Sequence, residues 1–172
     1  MSCVLSSCFS IIPKRRNKIW GIVADKENVT VKALYFYTQA FSALPALPAI
    51  RSASEKPRAI SVKDATVIYL ALEQGDTDQS VSGCLLDFIR ERRRNGLPVV
   101  IHSFNHLSDC PMPLNPAKKL YERLPQQLVA TGIEHILSTT FGWIYEISMT
   151  DVGERGSKGR ILCAQIAERP SR

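Results

Sequence analysis

The chain has 172 residues, enough to bury one substantial core without metal or disulfide support, and no apolar run nears the roughly 18 residues of a membrane span. Its 22 lysines and arginines against 16 acidic residues leave a formal charge of +6. Such an excess favours an anionic partner, nucleic acid foremost, because clustered cations displace phosphate counterions.

The basic residues gather at Lys14-Arg15-Arg16-Asn17-Lys18 and at Arg90-Glu91-Arg92-Arg93-Arg94. Residues 1–17 read as a flexible N-terminal extension, ahead of a single domain over 18–172. The basic residues follow the leader's apolar stretch, the reverse of a secretory signal; its lack of acidic residues leaves an organelle transit peptide as the lesser alternative. Five scattered cysteines then read as reduced thiols of a cytoplasmic protein, with Cys84 and Cys163 in apolar contexts.

Two β-prone runs, 18–23 and 29–35, flank a polar turn at 24–28 and predict a hairpin. Proline, serine and alanine over 43–57 predict a loop. Residues 65–72 form the clearest strand, and 74–78 turn the chain. A helix follows, capped by Asp78 or Ser80 and running to Arg94. Its apolar residues Val81, Cys84, Leu85, Phe88 and Ile89 recur at helical spacing. Residues 97–104 predict a buried strand that runs into a polar loop at 105–109. Asn115 is placed to cap a second helix, with Pro116 at its first position and Leu120, Leu124 and Leu128 as its stripe. Pro125 should kink or split this helix, and Gly132 should end it. Strands at 133–138, 143–148 and 160–167 follow, the last two separated by a glycine-rich, mobile loop over 151–159. The expectation is an α/β (α+β) domain in which two helices pack on a mixed sheet. Neither a P-loop nor a dinucleotide-binding glycine pattern is present.

His106 is the leading candidate for chemistry, since an imidazole both donates and accepts hydrogen bonds near neutral pH. Asn105 and Ser108 are placed to orient it. His102, His106 and Cys110 are four residues apart, which gathers ligands only on a helix; in a strand His102 points into the sheet, so no metal is expected. Asp25 ends the first predicted strand and faces either the pocket or a plain hairpin turn. Phe141 and Trp143 either wall a pocket, where an aromatic face can stack on a base, or serve as core aromatics. On the strand after them Tyr145 shares a face with Trp143 while Glu146 points away, which makes Tyr145 the better pocket residue.

The order Phe104-Asn105-His106-Leu107-Ser108, Phe141-Gly142-Trp143, Glu146-Ile147-Ser148 resembles the editing domain of archaeal-type threonyl-tRNA synthetases. That family shares its fold with D-aminoacyl-tRNA deacylases. Its members carry aromatic-Ala-His-Leu-Ser, then Phe-Gly-Trp/Tyr, then Glu-Ile-Ser, and Ile22-Val23-Ala24-Asp25 weakly matches their Ile-His-Ala/Ser-Asp. The resemblance implies hydrolysis of the ester joining a wrong amino acid, serine, to the terminal adenosine of threonine tRNA. The attack is by water, without metal or cofactor, helped by the substrate's ribose hydroxyl. By carry-over His106 contacts the substrate, and Phe141, Gly142 and Trp143 shape the pocket. The backbone at Phe104 and Asn105 reads the amino acid.

Three departures accompany the match. Ile144-Tyr145 stands where the family has Tyr-Lys, so its lysine has no counterpart and Tyr145 is left as the polar candidate. Val23 replaces the family's first histidine, and residues 151–159 replace its Gly-His-Pro-Leu-Ser-Glu segment, leaving Glu154 as a substitute acid. The leading expectation is a freestanding editing hydrolase acting on the aminoacylated 3′ end of tRNA, with Arg92, Arg93 and Arg94 on the tRNA. By analogy it is a homodimer. The alternatives are a catalytically inactive module that binds a tRNA end, nucleotide or protein, and a hydrolase of another small amino-acid ester or amide.

Overall fold

The computed structural model describes residues 31–54, 56–92 and 96–161. They form a mixed six-stranded sheet with two helices, an α/β arrangement as anticipated. In chain order the elements are β1 (Lys32–Pro48), β2 (Ile60–Ala71), α1 (Asp78–Arg92), β3 (Val99–Ser103), α2 (Leu114–Ala130), β4 (Ile136–Ser138), β5 (Trp143–Asp151) and β6 (Lys158–Ile161). The sheet order is β4-β3-β2-β1-β5, and β6 pairs with the first half of β1. β2, β3 and β4 run parallel, while β1 lies antiparallel to β2, β5 and β6. The run expected at 18–23 and the proposed extension at 1–17 lie outside the described residues.

The longest strand corrects the loop expected over 43–57. β1 continues through Pro45 to Pro48 because β5 pairs with it there, from Thr38 opposite Asp151 to Pro48 opposite Trp143. Ala43 is the last β1 residue opposite β2, so both prolines lie where β1 has one partner strand, and a register shift follows Pro45. Prolines persist in sheets at such edges and bulges, since they lack the ladder N–H. A second irregularity, at Gln39 opposite Asp64 (φ +51°), flips which residues face each side. Phe36 and Phe41 thereby share a face although they are five apart.

One face of the sheet carries both helices. Val81, Leu85 and Ile89 of α1 and Leu120, Tyr121, Leu124 and Leu128 of α2 pack with Ala33, Tyr35, Ile68, Leu70, Val99 and Ile101 of the sheet. The other face curls over a smaller core of Phe41, Ala43, Ile60, Ala65, Val67 and Val100, with Tyr69, Tyr145, Ile147 and Met149 half-buried against it.

Thr77 caps α1, in place of Asp78 or Ser80: its Oγ1 accepts the Ser80 N–H at 3.1 Å while Ser80 Oγ accepts the Thr77 N–H at 2.9 Å. Asp78 instead accepts hydrogen bonds from Arg123 and Gln127, tying α1 to α2. α2 starts at Leu114 with no side-chain cap, so Asn115 lies within its first turn. The helix also runs on through Pro125 without splitting, because buried Leu124 and Leu128 hold it to the core on both sides of the missing bond. Residues 152–157 form the loop expected between the last two strands, and hydrogen bonds close it. The Asp151 carboxylate accepts from the Gly153 N–H and Ser157 Oγ, and Tyr35 Oη donates to the Gly156 carbonyl. Cys110 is a free, exposed thiol. No helix among the described residues is long and apolar enough to cross a membrane.

Candidate active site

The parallel pairing of β3 with β2 and β4 positions the candidate site, since loops leaving the ends of such strands collect ligands. β3 is buried through His102, and the Phe104 N–H extends its pairing by donating to the Leu70 carbonyl at 2.8 Å. A single 3₁₀ turn, Asn105–Leu107, then lifts His106 into solvent. The His106 ring stands edge-on to Phe104, with centroids 5.4 Å apart. Phe104 in turn lies 5.4 Å from Tyr69 and 6.4 Å from His102, and His102 meets Tyr145 at 5.9 Å with perpendicular planes. His106, Phe104, His102 and Tyr145 thus form one aromatic row.

His102 is buried at the centre of that row, beside Tyr69, its register partner on β2, at 4.9 Å. Its Nδ1 lies 3.0 Å from Thr139 Oγ1, which lies 3.1 Å from Tyr121 Oη, which donates to the Ile101 carbonyl at 2.8 Å. Burial pushes the imidazolium down to about 4, so the ring is uncharged at neutral pH. This environment was hidden in the sequence because Thr139 and Tyr121 come from distant segments. The available signal was the alternation of β3, which sets His102 on the face of Val100.

The other candidates are distributed as follows. Tyr145 Oη accepts the Thr140 N–H at 2.8 Å and donates to the Arg58 carbonyl at 3.0 Å, so both hydrogen-bonding roles are engaged. Ser108 Oγ donates to Glu73 Oε1 at 2.7 Å. Glu73 also pairs with Lys32 (3.0 Å), whose ammonium reaches Asp109 at 2.7 Å and holds that carboxyl below its ordinary range. Ser108 is therefore bonded into this network, and the Asn105 carbonyl accepts the Ser108 N–H. The 141–143 turn divides its aromatics. Phe141 is 4% exposed and packs on Tyr121 at 5.5 Å, on the helix side of the sheet. Half-buried Trp143 donates its indole N–H to the Ser54 carbonyl. Gly142 has φ +80°, and a Cβ there would lie 2.5 Å from Ile50 Cδ1, so this position demands glycine for shape.

Arg92 is exposed at the end of α1, where Tyr37 Oη donates to its carbonyl. This is the end of the sheet where β3 begins, remote from His106. A cavity of about 330 Å³ lies there too, lined in part by Tyr37, Asp64, Leu97 and Glu154, so Glu154 is apart from the aromatic row. Asp25, Arg93 and Arg94 lie outside the described residues. Among those described, no three His, Cys, Asp or Glu side chains are grouped to hold a metal ion.

A solved structure described as a probable eukaryotic D-amino acid tRNA deacylase superposes with a TM-score of 0.55 at 13% identity, covering 77% of this chain and 98% of that one. The curled mixed sheet with helices on one face is therefore the D-aminoacyl-tRNA deacylase-like fold. The model of the archaea-specific editing domain of threonyl-tRNA synthetase matches residues 31–159. The chain belongs to that family, and so to the tRNA-editing deacylase domains in their general class. No curated protein sequence matches it.

Proposed function

We propose that this protein is a cytoplasmic editing hydrolase that clears serine from mischarged threonine tRNA, working as a homodimer. The observation that carries this reading is the family match over residues 31–159, which spans the whole aromatic row. An aminoacyl ester is already activated, so holding it beside a water molecule supplies much of the rate. The row offers aromatic rings and imidazoles, with no lysine at the family's position, and the Tyr145 hydroxyl already accepts one N–H and donates to one carbonyl. Protein side chains therefore orient the ester, and the substrate's own ribose hydroxyl assists the water. Within this scheme Tyr145 fixes the bend over Arg58 and Thr140, exposed His106 meets the incoming adenosine, and Arg92, Arg93 and Arg94 contact the tRNA body.

Deacylation of seryl- and threonyl-tRNA by the purified chain tests the proposal. Cleavage of the seryl ester is expected to be faster, and His106→Ala to slow it by roughly tenfold, the worth of one hydrogen bond to the substrate. The absence of turnover on a panel of mischarged tRNAs would refute it. The engaged Tyr145 hydroxyl and the missing lysine favour a second reading, a non-catalytic module that binds the tRNA end. That reading requires salt-sensitive tRNA binding with no ester cleavage.

A further inference from the structure

The protons around Tyr121 decide which nitrogen of the buried imidazole is free. Tyr121 Oη has one proton, and the 2.8 Å bond to the Ile101 carbonyl uses it, because a carbonyl only accepts. The 3.1 Å contact between Tyr121 and Thr139 must then carry the Thr139 proton. Thr139 has no second proton for His102, so the 3.0 Å contact at Nδ1 is donated by the imidazole. His102 is thereby fixed as the Nδ1–H tautomer, with a lone pair on Nε2. No described residue hydrogen-bonds to Nε2.

Three rings flank this imidazole: Tyr69 at 4.9 Å, Tyr145 at 5.9 Å and Phe104 at 6.4 Å. Aromatic faces attract a cation, most strongly where water is excluded, and a bare lone pair accepts one of its N–H groups. A buried imidazole that stays uncharged at neutral pH does not repel such a ligand. We infer that His102, with Tyr69, Phe104 and Tyr145, seats the α-ammonium group of the aminoacyl ester, so that the site selects esters with a free amine. This rests on the deacylase reading above and names the part of the substrate that the row recognises.

The test compares seryl-tRNA with N-acetyl-seryl-tRNA, each rate divided by spontaneous hydrolysis in the same buffer, for the wild type and His102→Phe. The wild type is expected to favour the free amine by roughly tenfold or more, the scale of a desolvated cation–ring contact. His102→Phe should lose that preference, mainly through a raised KM. A variant that slows both esters but keeps their ratio shows a structural role and overturns the inference, with deacylation itself intact. A wild type that cleaves neither ester overturns the deacylase reading and the inference together. Nitrogen-15 spectra of the wild-type imidazoles need no variant. The proton should lie on Nδ1 of His102, and the Nε2 signal should move when a serinyl-adenosine amide is added. A proton on Nε2, or an unmoved Nε2 signal with the amide bound, refutes the assignment.

Discussion

Replacing His102 with phenylalanine keeps a ring in the aromatic row and removes its titration, which allows acid stability to be worked out. The unfolded imidazole titrates at its ordinary value of 6.5, and burial lowers the folded value to about 4. As pH falls below 6.5 the unfolded chain binds a proton that the native protein refuses until about pH 4. Native stability therefore declines through that window, by at most about 1.4 kcal/mol per pH unit. Integration gives a loss of about 2 kcal/mol at pH 5 relative to pH 8, and about 3 kcal/mol in full. The carboxylates act lower. Asp78 beside Arg123, Asp109 beside Lys32, and Asp151, held at about 2 by Lys158, support the fold above their unfolded values and release that support only as they protonate. Urea unfolding of both proteins at about pH 8, 6.5 and 5 reads the effect as a difference that cancels every other group. The wild type should lose about 2 kcal/mol of stability relative to the variant between about pH 8 and pH 5, whichever is the more stable at pH 8. Parallel pH profiles for the two proteins would show that His102 is neither desolvated nor neutral, and the hydrogen-bond chain through Thr139 would fall with it.

Three further outcomes follow from the same geometry. Gly142→Ala forces a Cβ to within 2.5 Å of Ile50 Cδ1 at φ +80°, and should destabilise the fold by about 2 kcal/mol or more, read from the urea midpoint; an unchanged midpoint would mean the 49–50 segment yields freely. Tyr121→Phe removes the donor to the Ile101 carbonyl from a wholly buried position and should cost about 1–3 kcal/mol. It also frees the Thr139 proton, so the same spectra should show His102 populating its other tautomer. Replacing Arg92, Arg93 and Arg94 together by serine should weaken tRNA binding at low salt and flatten its dependence on log salt by about 2–3; an unchanged slope would remove these residues from the interface.

The parts of the fold legible in the sequence are those in which local pattern and tertiary packing agree. Val81, Leu85 and Ile89 mark the buried side of α1, and Leu120, Leu124 and Leu128 that of α2, as their spacing indicates. Trp143 and Tyr145 share a face of β5, as strand alternation requires. The misreadings arose where distant partners overrule local signals. Pro45 and Pro48 denote a loop until β5 is laid beside them, and Pro125 denotes a break until the core grips α2 on either side. At the site, the histidine-bearing turn was visible from its motif. The environment of His102 was not, because Thr139, Tyr121 and Tyr145 each enter from a different element. Likewise, no local feature tells Phe141, which turns to the helices, from Trp143, which does not.

The position of β1 inside the sheet bears on how the protein is made. It is the first described strand to leave the ribosome, yet Ala33 gains its β6 neighbour only once Ile161 has been synthesised. Until then the first half of β1 has β2 alone for company, and the backbone that will pair with β6 is open to other chains. Slow synthesis of that last stretch should therefore prolong the exposure of this strand edge to other chains.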